Sequence, residues 1–468
     1  MAADDLSAAP RGLARCPGPS TRDIILADGW KVPDALVAES YEFLGGQDIA
    51  YDRYTSPEFF RKEVDKVWGK AWQWACREEH IPEAGDYVVY DIGPHSILVV
   101  RTESGQIKGY HNACLHRGTQ LRRSESSGSA SELKCPFHGW SWTLEGEVKT
   151  IPCRWDFPHV TDEGFRLPEV KVDTWGGFVW INLDENAPPL MDFLGVLPEH
   201  FKDRWDLSRR HIVLHLQKEL STNWKAAMEA FLAAYHSMQT HAQGRASSGG
   251  WDNAQYDVFD QHVDRFVHTI AATYPDNPNG EPFNVRPATE QEMFARMRWM
   301  GEGPRPELPE GRSARSFAAE QLRKVYGKEW GVDLSEYTDS EMLDSIEYHL
   351  FPNMCLFPGV SLPMIYRFRP IGMDPGRCVF DLLFLRPLPE GAEAPLPPEP
   401  FRVTAEQSYA AAPGMNPALG AVYDQDTGNL EMQYRGFQAS KKRGQTLGDY
   451  QEIRIRHLHD TIDKYIAG

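Results

Sequence analysis

Two short motifs place cysteine and histidine close together in the first third of the chain. They read Cys114-x-His116 and, after eighteen further residues, Cys135-x-x-His138. Two thiolates and two imidazoles can bind one zinc ion, or hold a [2Fe–2S] cluster with both cysteines on one iron and both histidines on the other. Zinc fingers usually pair Cys with Cys and His with His, whereas each half-site here has one of each. This arrangement favours the cluster over zinc.

Small and rigid residues flank the four candidate ligands. Gly118, Pro136 and Gly139 stand beside them, as tight loops that expose backbone N–H groups to sulfur require. Both half-sites also fall on turns between short β-branched and aromatic runs, so that two loops would grip the group from opposite sides. The alternative is that buried cysteines and stray histidines have this spacing by chance.

A second candidate site lies in the stretch "EAFLAAYHSMQTH", Glu229 to His241, where His236 and His241 stand five positions apart. On a regular helix they would be separated by roughly 140° of rotation. Either the two histidines serve unrelated roles, or the helix distorts or ends between them. Ala233 and Ala234 precede His236, and that turn holds no acid.

Composition excludes several classes of protein. The chain has 468 residues, is 41% hydrophobic and carries a net charge of −18. This charge argues against a nucleic-acid partner and an anionic membrane surface. No apolar run approaches the roughly 18 residues that span a membrane, and the first thirty residues lack the apolar core of a signal peptide. We therefore expect a cytoplasmic protein, whose seven scattered cysteines are thiols or metal ligands.

Strand and helix patterns are segregated along the chain, which predicts an α+β fold. Residues 1–50 form a polar, proline-dotted extension. Residues 51–79 begin a helix with Ser56 as N-cap and are expected to pack on the C-terminal domain. Residues 80–185 form an all-β module, and residues 186–468 form a mixed domain.

From residue 50 to its end, the chain resembles the large subunit of the Rieske non-haem iron ring-hydroxylating oxygenases. The resemblance lies in the stretch from "YTSPEFF" to "DYVVYDI", the Cys/His motifs ending in "HGW", "NWKAAMEAF" and "QDTGNL". It implies an all-β Rieske [2Fe-2S] domain and a catalytic domain with an antiparallel sheet and covering helices, of the helix-grip, START-like type. The spacer "SESSGSAS" looks like an inserted loop that leaves the ligands intact.

The resemblance also implies a mononuclear Fe(II) that reacts with O₂. Its ligands would be His236, His241 and Asp426, the last in a Q-D-x-x-N context. The histidines would converge because the helix ends or distorts. Asp424 is the competitor, but on a helix it would point to another side.

The chain departs from the family at Ala233. Family members have a carboxylate three residues before the first histidine ligand, which bridges the iron of one subunit and the cluster of its neighbour. An alanine side chain cannot accept a hydrogen bond or orient His236, which casts doubt on efficient turnover. Glu229, one turn earlier, is a possible substitute, directly or through water.

The resemblance further implies a homotrimer, or an α₃β₃ assembly with a small subunit. Electrons must come from a separate NAD(P)H-dependent reductase or ferredoxin, because the chain has no Gly-rich dinucleotide fingerprint. Basic residues near the cluster motifs are candidates for receiving an acidic ferredoxin, or else form a solvated face; they are Arg117, Arg122, Arg123 and Lys134.

The expected substrate is an aromatic or polycyclic molecule. Its pocket should form between strands in residues 346–386 and the loops from His241 to Asp260. Arg245 or Arg367 would anchor a carboxylate, unless they are structural or surface residues. Two other classes remain: a Rieske electron-transfer or regulatory protein with an impaired iron site, and a zinc-binding structural module.

Overall fold

The computed structural model describes residues 10–16, 19–244, 254–273, 289–299, 301 and 303–468. The strands, in chain order, are β1 Ile49–Ala50, β2 Gln73–Arg77, β3 Asp86–Ile92, β4 His95–Arg101, β5 Ile107–His111, β6 Ser127–Ser129, β7 Leu133–Lys134, β8 Ser141–Trp142, β9 Val148–Thr150, β10 Glu169–Trp175, β11 Phe178–Asn182, β12 Arg210–Leu220, β13 Ala254–Val258, β14 Val263–His268, β15 Ser345–Leu350, β16 Met354–Leu356, β17 Met364–Ile371, β18 Asp374–Pro387, β19 Phe401–Val403 and β20 Gly444–Gln445.

The α-helices among these residues are α1 Thr21–Ala27, α2 Asp34–Val37, α3 Asp52–Thr55, α4 Pro57–Glu63, α5 Leu190–Phe193, α6 Leu197–His200, α7 Trp224–Leu232, α8 Ser237–Thr240, α9 Glu290–Arg296, α10 Ala314–Trp330, α11 Asp339–Leu343, α12 Pro417–Gly428, α13 Leu430–Ala439 and α14 Ile453–Ala467. A π-helical turn follows α4 at Val64–Trp68, and a 3₁₀ turn joins α7 to α8 at Ala234–His236. None of the described helices is long and apolar enough to cross a bilayer.

The cysteine–histidine motifs belong to an all-β unit. Its seven-stranded antiparallel sheet has the order β2-β11-β10-β5-β4-β3-β6, and a second small sheet has the order β7-β8-β9. The spacer that looks like an inserted loop contains strand β6, which pairs with β3 at the sheet edge. An edge strand of this kind needs only backbone hydrogen bonds. Its exposed serines and glycine therefore show no apolar pattern from which the strand could have been predicted.

An eight-stranded sheet forms the core of the second unit, in the order β13-β14-β15-β16-β17-β18-β12-β19. Its pairs are antiparallel except β12 with β19. Helix α7 packs on β17 and β18, and α14 packs on β13 and β14. Every residue of β13 and β14 is buried. The antiparallel sheet with covering helices confirms the predicted α+β class.

The helical segment before the first sheet packs against α7. Ser56 accepts a hydrogen bond from the Phe59 N–H (3.2 Å) and caps α4, as predicted. The Trp68 ring lies edge-on to Trp224, the first residue of α7, with ring centroids 4.8 Å apart. Next to this contact, Lys225 Nζ lies 2.7 Å from Glu63 Oε1, and both side chains are wholly buried.

Removing the amine of this buried pair is expected to destabilise the chain. Burial raises the pKa of Glu63 and lowers the pKa of Lys225, so each group depends on the other. Lys225→Met should lower the free energy of unfolding by roughly 3–5 kcal/mol, because it leaves a buried carboxylate unpaired. The double variant Glu63→Gln/Lys225→Met should show a clearly smaller loss of unfolding free energy. Equilibrium urea unfolding measures both, and equal losses would contradict the pairing.

Candidate metal centres

The two cysteine turns have the same backbone geometry. In each turn the cysteine N–H donates to the carbonyl five residues ahead, at 2.8 Å in both. The glycine four residues ahead, Gly118 or Gly139, donates back to the cysteine carbonyl at 2.9 and 3.2 Å. The φ angles of Gly118 and Gly139 are +77° and +75°. This left-handed conformation explains why glycine follows each half-site.

The side chains of the two turns form a coherent donor set. Cys114 and Cys135 are buried, and burial, with the neighbouring Cys135 thiol, raises the pKa of Cys114. The rings of His116 and His138 lie edge-on with centroids 4.7 Å apart. His116 Nδ1 is buried and has no hydrogen-bond partner among the described atoms. Two thiols, two imidazoles and this free ring nitrogen fit a Rieske-type [2Fe–2S] cluster.

The basic residues near these turns differ in how exposed their side chains are. Arg122 donates to the carbonyls of Leu121, Glu132 and Lys134 and lies over the Tyr87 ring, so it is structural. The part of Arg122 in a docking face stays a prediction. The side chains of the other three candidates are exposed; they are Arg117, Arg123 and Lys134.

The helix that carries the second candidate site is interrupted before the first histidine. Helix α7 ends at Leu232, and Ala233 is extended with φ −141° and ψ 136°. A 3₁₀ turn then leads to His236, and α8 ends at Thr240, directly before His241. The expected distortion exists, but its main break lies at Ala233 and not between the two histidines.

After this break, His236 and His241 face the same carboxylate. Their Nε2 atoms lie 3.2 and 2.8 Å from Asp426 Oδ1, and one ligand atom from each residue lies within 4.8 Å of the others. Burial alone would raise the pKa of Asp426, but the two imidazoles hold it below its usual value. Asp426 Oδ1 is buried and receives no well-formed hydrogen bond from the described residues. This arrangement fits a two-histidine, one-carboxylate metal site.

Each histidine is oriented through its other ring nitrogen. His236 Nδ1 donates to the main-chain carbonyl of Ala233, and His241 Nδ1 donates to Gln425 Oε1, both at 2.9 Å. Such contacts fix the tautomer that leaves Nε2 free for a metal. The expectation that residue 233 does not orient His236 is therefore wrong, because its backbone does so. Gln425 was not predicted, although it lies directly before Asp426 in the recognised motif.

Asp424 does not belong to this site. Its carboxylate accepts hydrogen bonds from the Ser408 hydroxyl and the Tyr409 N–H. The two acids lie on α12 but point in different directions, as residues two positions apart on a helix must.

A cavity of about 330 Å³ occupies the space beside Ala233. Its walls include Glu229, Ala233, His236 and Asp426. Glu229 does not contact His236 among the described hydrogen bonds. Its oxygens accept from Tyr54 Oη (2.8 Å), His459 Nε2 (2.8 Å) and Gln445 Nε2 (3.1 Å), so the direct substitute predicted for the missing carboxylate is not formed.

Buried aromatic rings pack between α7, α12 and the eight-stranded sheet. Phe231 of α7 packs against Tyr366 and Phe380, with ring centroids 5.1 and 5.3 Å apart. Tyr366 and Tyr423 share a hydrogen bond between their hydroxyls (2.8 Å).

A second cavity, of about 550 Å³, lies at the start of the helix that carries Asp426. Its lining includes Leu362 and Phe384 from the predicted strands, together with Phe294, Trp299, Met415 and Leu419. The contribution of residues 294–330 was not predicted, because that segment is polar and rich in loops.

Arg367, one of the two arginines proposed as a carboxylate anchor, does not line this cavity. Arg367 is buried, pairs with Asp381 (3.0 Å) and donates to the carbonyls of Trp74 and Ala75. It is thus structural and joins the two sheets. Arg245 lies outside the described residues.

A Cys₂His₂ cluster site and a two-histidine, one-carboxylate metal site in one chain define the Rieske non-haem iron class of proteins. Comparison with protein-family models supports this class. Residues 71–161 match the Rieske [2Fe-2S] domain, and residues 203–468, more than half of the chain, match the ring hydroxylating alpha subunit (catalytic domain). The chain belongs to the ring-hydroxylating alpha subunits. The predicted family and cofactors are thereby confirmed.

Similar proteins support the same family. The chain is 30% identical over 200 residues to the glycine betaine monooxygenase oxygenase subunit of Pseudomonas aeruginosa (strain UCBPP-PA14), covering 43% of this chain and 46% of that protein. It is 32% identical over 198 residues to the large oxygenase component of the naphthalene 1,2-dioxygenase system of Pseudomonas putida, covering 41% and 43%. The matched region thus spans less than half the length of these relatives.

Solved structures share the fold over most of the chain. A quaternary ammonium Rieske monooxygenase superposes with a TM-score of 0.61 at 15% identity, covering 89% of this chain and 95% of that one. A naphthalene 1,2-dioxygenase with indole bound superposes with a TM-score of 0.61 at 17% identity, covering 91% and 93%.

Proposed function

We propose that the chain is a terminal oxygenase component. It would use O₂ and electrons from a separate NAD(P)H-dependent reductase or ferredoxin to hydroxylate an aromatic or polycyclic substrate. The observation that carries this proposal is the convergence of His236, His241 and Asp426 within 4.8 Å, in a chain that also holds the paired cysteine turns. When bound, a mononuclear iron supplies open positions for O₂ and substrate, and the cluster supplies one stored electron.

The protein's own residues prepare this site. The Ala233 carbonyl and Gln425 hold the two imidazoles with Nε2 towards Asp426. Asp426 provides the only carboxylate that faces both histidines among the described residues.

The electron donor is proposed to be a separate acidic protein. Arg117, Arg123 and Lys134 are exposed near the cysteine turns, and Phe137 among them is 58% exposed. A basic rim around an apolar centre suits a negatively charged partner and speeds its association. The names of the relatives, "oxygenase subunit" and "large oxygenase component", also describe one part of a larger system.

Electron transfer between subunits is proposed, within a homotrimer or an α₃β₃ assembly. Among the described residues, no hydrogen bond or ion pair joins the cysteine turns to the histidines of the second site. Inter-subunit electron transfer is described for the quaternary ammonium monooxygenase of similar fold. Light scattering should give a mass of about three chains, with or without a second polypeptide.

The size and lining of the 550 Å³ cavity support the proposal of an apolar substrate with two or three rings. Its lining includes the aromatic rings of Phe294, Trp299 and Phe384 and the Met415 side chain. Leu419 lies two helical turns before Asp426, roughly 10 Å along the axis, so an elongated molecule in the cavity would extend towards the metal. Cavities of this size commonly bind drug-sized ligands. Naphthalene is the compound in the name of one relative, and glycine betaine in that of another.

Oxygen consumption tests the proposed function. The reduced holoenzyme would be mixed with naphthalene, biphenyl, aromatic acids and glycine betaine, and O₂ uptake and ¹⁸O incorporation into product measured. The expected result is substrate-dependent uptake with a two- or three-ring compound. Label in glycine betaine alone would contradict the substrate class, and no label in any compound would favour an electron-transfer or regulatory role.

Adding a carboxylate at position 233 should raise turnover. The Ala233 side chain lines the 330 Å³ cavity, so an aspartate has room beside His236. Because the Ala233 carbonyl already orients His236, Ala233→Asp should leave the iron content unchanged. The new carboxylate would share the His236 Nδ1 proton with the main-chain carbonyl of residue 233 and link this histidine to the neighbouring cluster. A hydrogen bond to a charged group is worth roughly 1.5–3 kcal/mol, or roughly a tenfold or greater gain in coupled rate.

Ala233→Asn is the matched control, since it adds a similar volume without a negative charge. Product formed per electron consumed, followed under single turnover, reports the coupled rate. A rate that is unchanged or lower in Ala233→Asp would count against the bridging argument.

A further inference from the structure

Helix α7 is broken at a point where its sequence favours a helix. Alanine has the highest helix propensity of all residues, so the local sequence would continue the helix through Ala233 and Ala234. The structure instead has an extended Ala233 followed by a 3₁₀ turn. Contacts from other parts of the fold must therefore hold this break.

Two buried side chains satisfy the backbone groups on either side of Ala233. Arg454 Nη1 donates to the carbonyl of Leu232, the last residue of α7, at 3.2 Å. The Tyr256 hydroxyl accepts a hydrogen bond from the Ala234 N–H, also at 3.2 Å. A buried backbone group without such a partner is strongly unfavourable. The two contacts thus compensate for the hydrogen bonds that a continuous helix would have formed.

Both side chains are held in place by groups outside the helix. Arg454, on α14, donates from Nε to Asp264 Oδ1 (2.5 Å) and from Nη2 to Glu347 Oε1 (3.0 Å). Tyr256, on β13, is fully buried and packs edge-on against Tyr450 with ring centroids 5.3 Å apart. The sheet and the C-terminal helix therefore fix the positions of the two groups that meet the break.

We propose that Tyr256 and Arg454 are positioning residues of the mononuclear iron site. Neither is hydrogen-bonded to a candidate ligand among the described contacts. They act by holding the break, and the break sets the position of His236, because its Nδ1 donates to the Ala233 carbonyl (2.9 Å). In a continuous helix, this carbonyl would instead accept from the backbone N–H four residues ahead. This role rests on the proposed function, since it presumes iron at this site.

The test is the affinity for Fe(II) of the cluster-loaded chain carrying Tyr256→Phe. This substitution removes only the hydroxyl that accepts from Ala234 and lets the two alanines continue the helix. The dissociation constant for the mononuclear Fe(II) should rise roughly tenfold or more, as for other contacts that orient metal ligands. The visible absorbance of the cluster should remain unchanged.

Tyr348→Phe is the matched control. This tyrosine is also fully buried on the eight-stranded sheet, and its hydroxyl bonds to His200 Nδ1 (2.9 Å) and Arg265 Nη1 (3.1 Å). Its loss should lower the melting temperature but leave the Fe(II) affinity unchanged. In the double variant Tyr256→Phe/Ala233→Gly, the glycine disfavours the helix again, and we expect the affinity to recover at least partly.

The outcomes separate this inference from the proposed function. If the parent chain binds no Fe(II) beyond its cluster, both are overturned. If the parent binds Fe(II) and Tyr256→Phe binds it within about twofold, only the positioning role is overturned. Equal weakening by Tyr256→Phe and Tyr348→Phe would also overturn it, because the effect would then be general loss of stability.

Discussion

Asp426→Ala is expected to remove the mononuclear iron and leave the cluster in place. The carboxylate is the only anionic member of the candidate site, and two neutral imidazoles alone bind Fe(II) weakly. Iron per chain, measured by plasma mass spectrometry, should fall from about three to about two, the number held by a [2Fe–2S] cluster. Substrate-dependent O₂ uptake should fall to the level of the buffer, while the cluster absorbance remains.

Asp424→Asn is the control for this prediction. Asp424 lies on the same helix but binds Ser408 and Tyr409, so its loss should leave the iron content unchanged. Loss of iron in Asp424→Asn with retention in Asp426→Ala would show that the ligand had been assigned to the wrong acid.

Cys135→Ala is expected to abolish the cluster. Cys135 would supply one of the two protein thiolates that hold the cluster, and neither water nor a nearby backbone group would replace it. The purified chain should lose its red-brown colour and, after reduction, the rhombic electron paramagnetic resonance signal of a Rieske centre. Turnover should cease, since no stored electron reaches the second site. The histidines and Asp426 lie in the other sheet unit, so Fe(II) should still bind there.

Cys153→Ser provides the comparison for the cluster. Cys153 is an exposed free thiol of the same all-β unit, and its loss should leave colour and signal intact. A zinc ion in the parent chain, with no colour, would contradict the cluster assignment and support the structural zinc module.

Local sequence patterns predicted the parts of the site that local backbone geometry determines. Each cysteine turn needs a left-handed residue four positions after the cysteine, and Gly118 and Gly139 meet this requirement. The N-cap at Ser56 follows from helix capping in the same way. The α+β class follows from the segregation of strand and helix patterns.

Tertiary contacts determined what the sequence did not predict. The break at Ala233 contradicts alanine's helix propensity and depends on Tyr256 and Arg454, which lie far away in sequence. The sequence predicted Arg122 as a docking residue but did not show that its guanidinium donates hydrogen bonds to three nearby carbonyls. The polar composition of residues 294–330 also gave no indication that Phe294 and Trp299 line the 550 Å³ cavity.

The ratio of iron to acid-labile sulfide tests the central claim most directly. The claim is that one chain holds a Rieske cluster at the cysteine turns and one further iron at His236, His241 and Asp426. The reconstituted parent should contain about three irons for about two sulfides, and Asp426→Ala about two for two. A ratio of one to one in the parent, unchanged in Asp426→Ala, would contradict the mononuclear iron site.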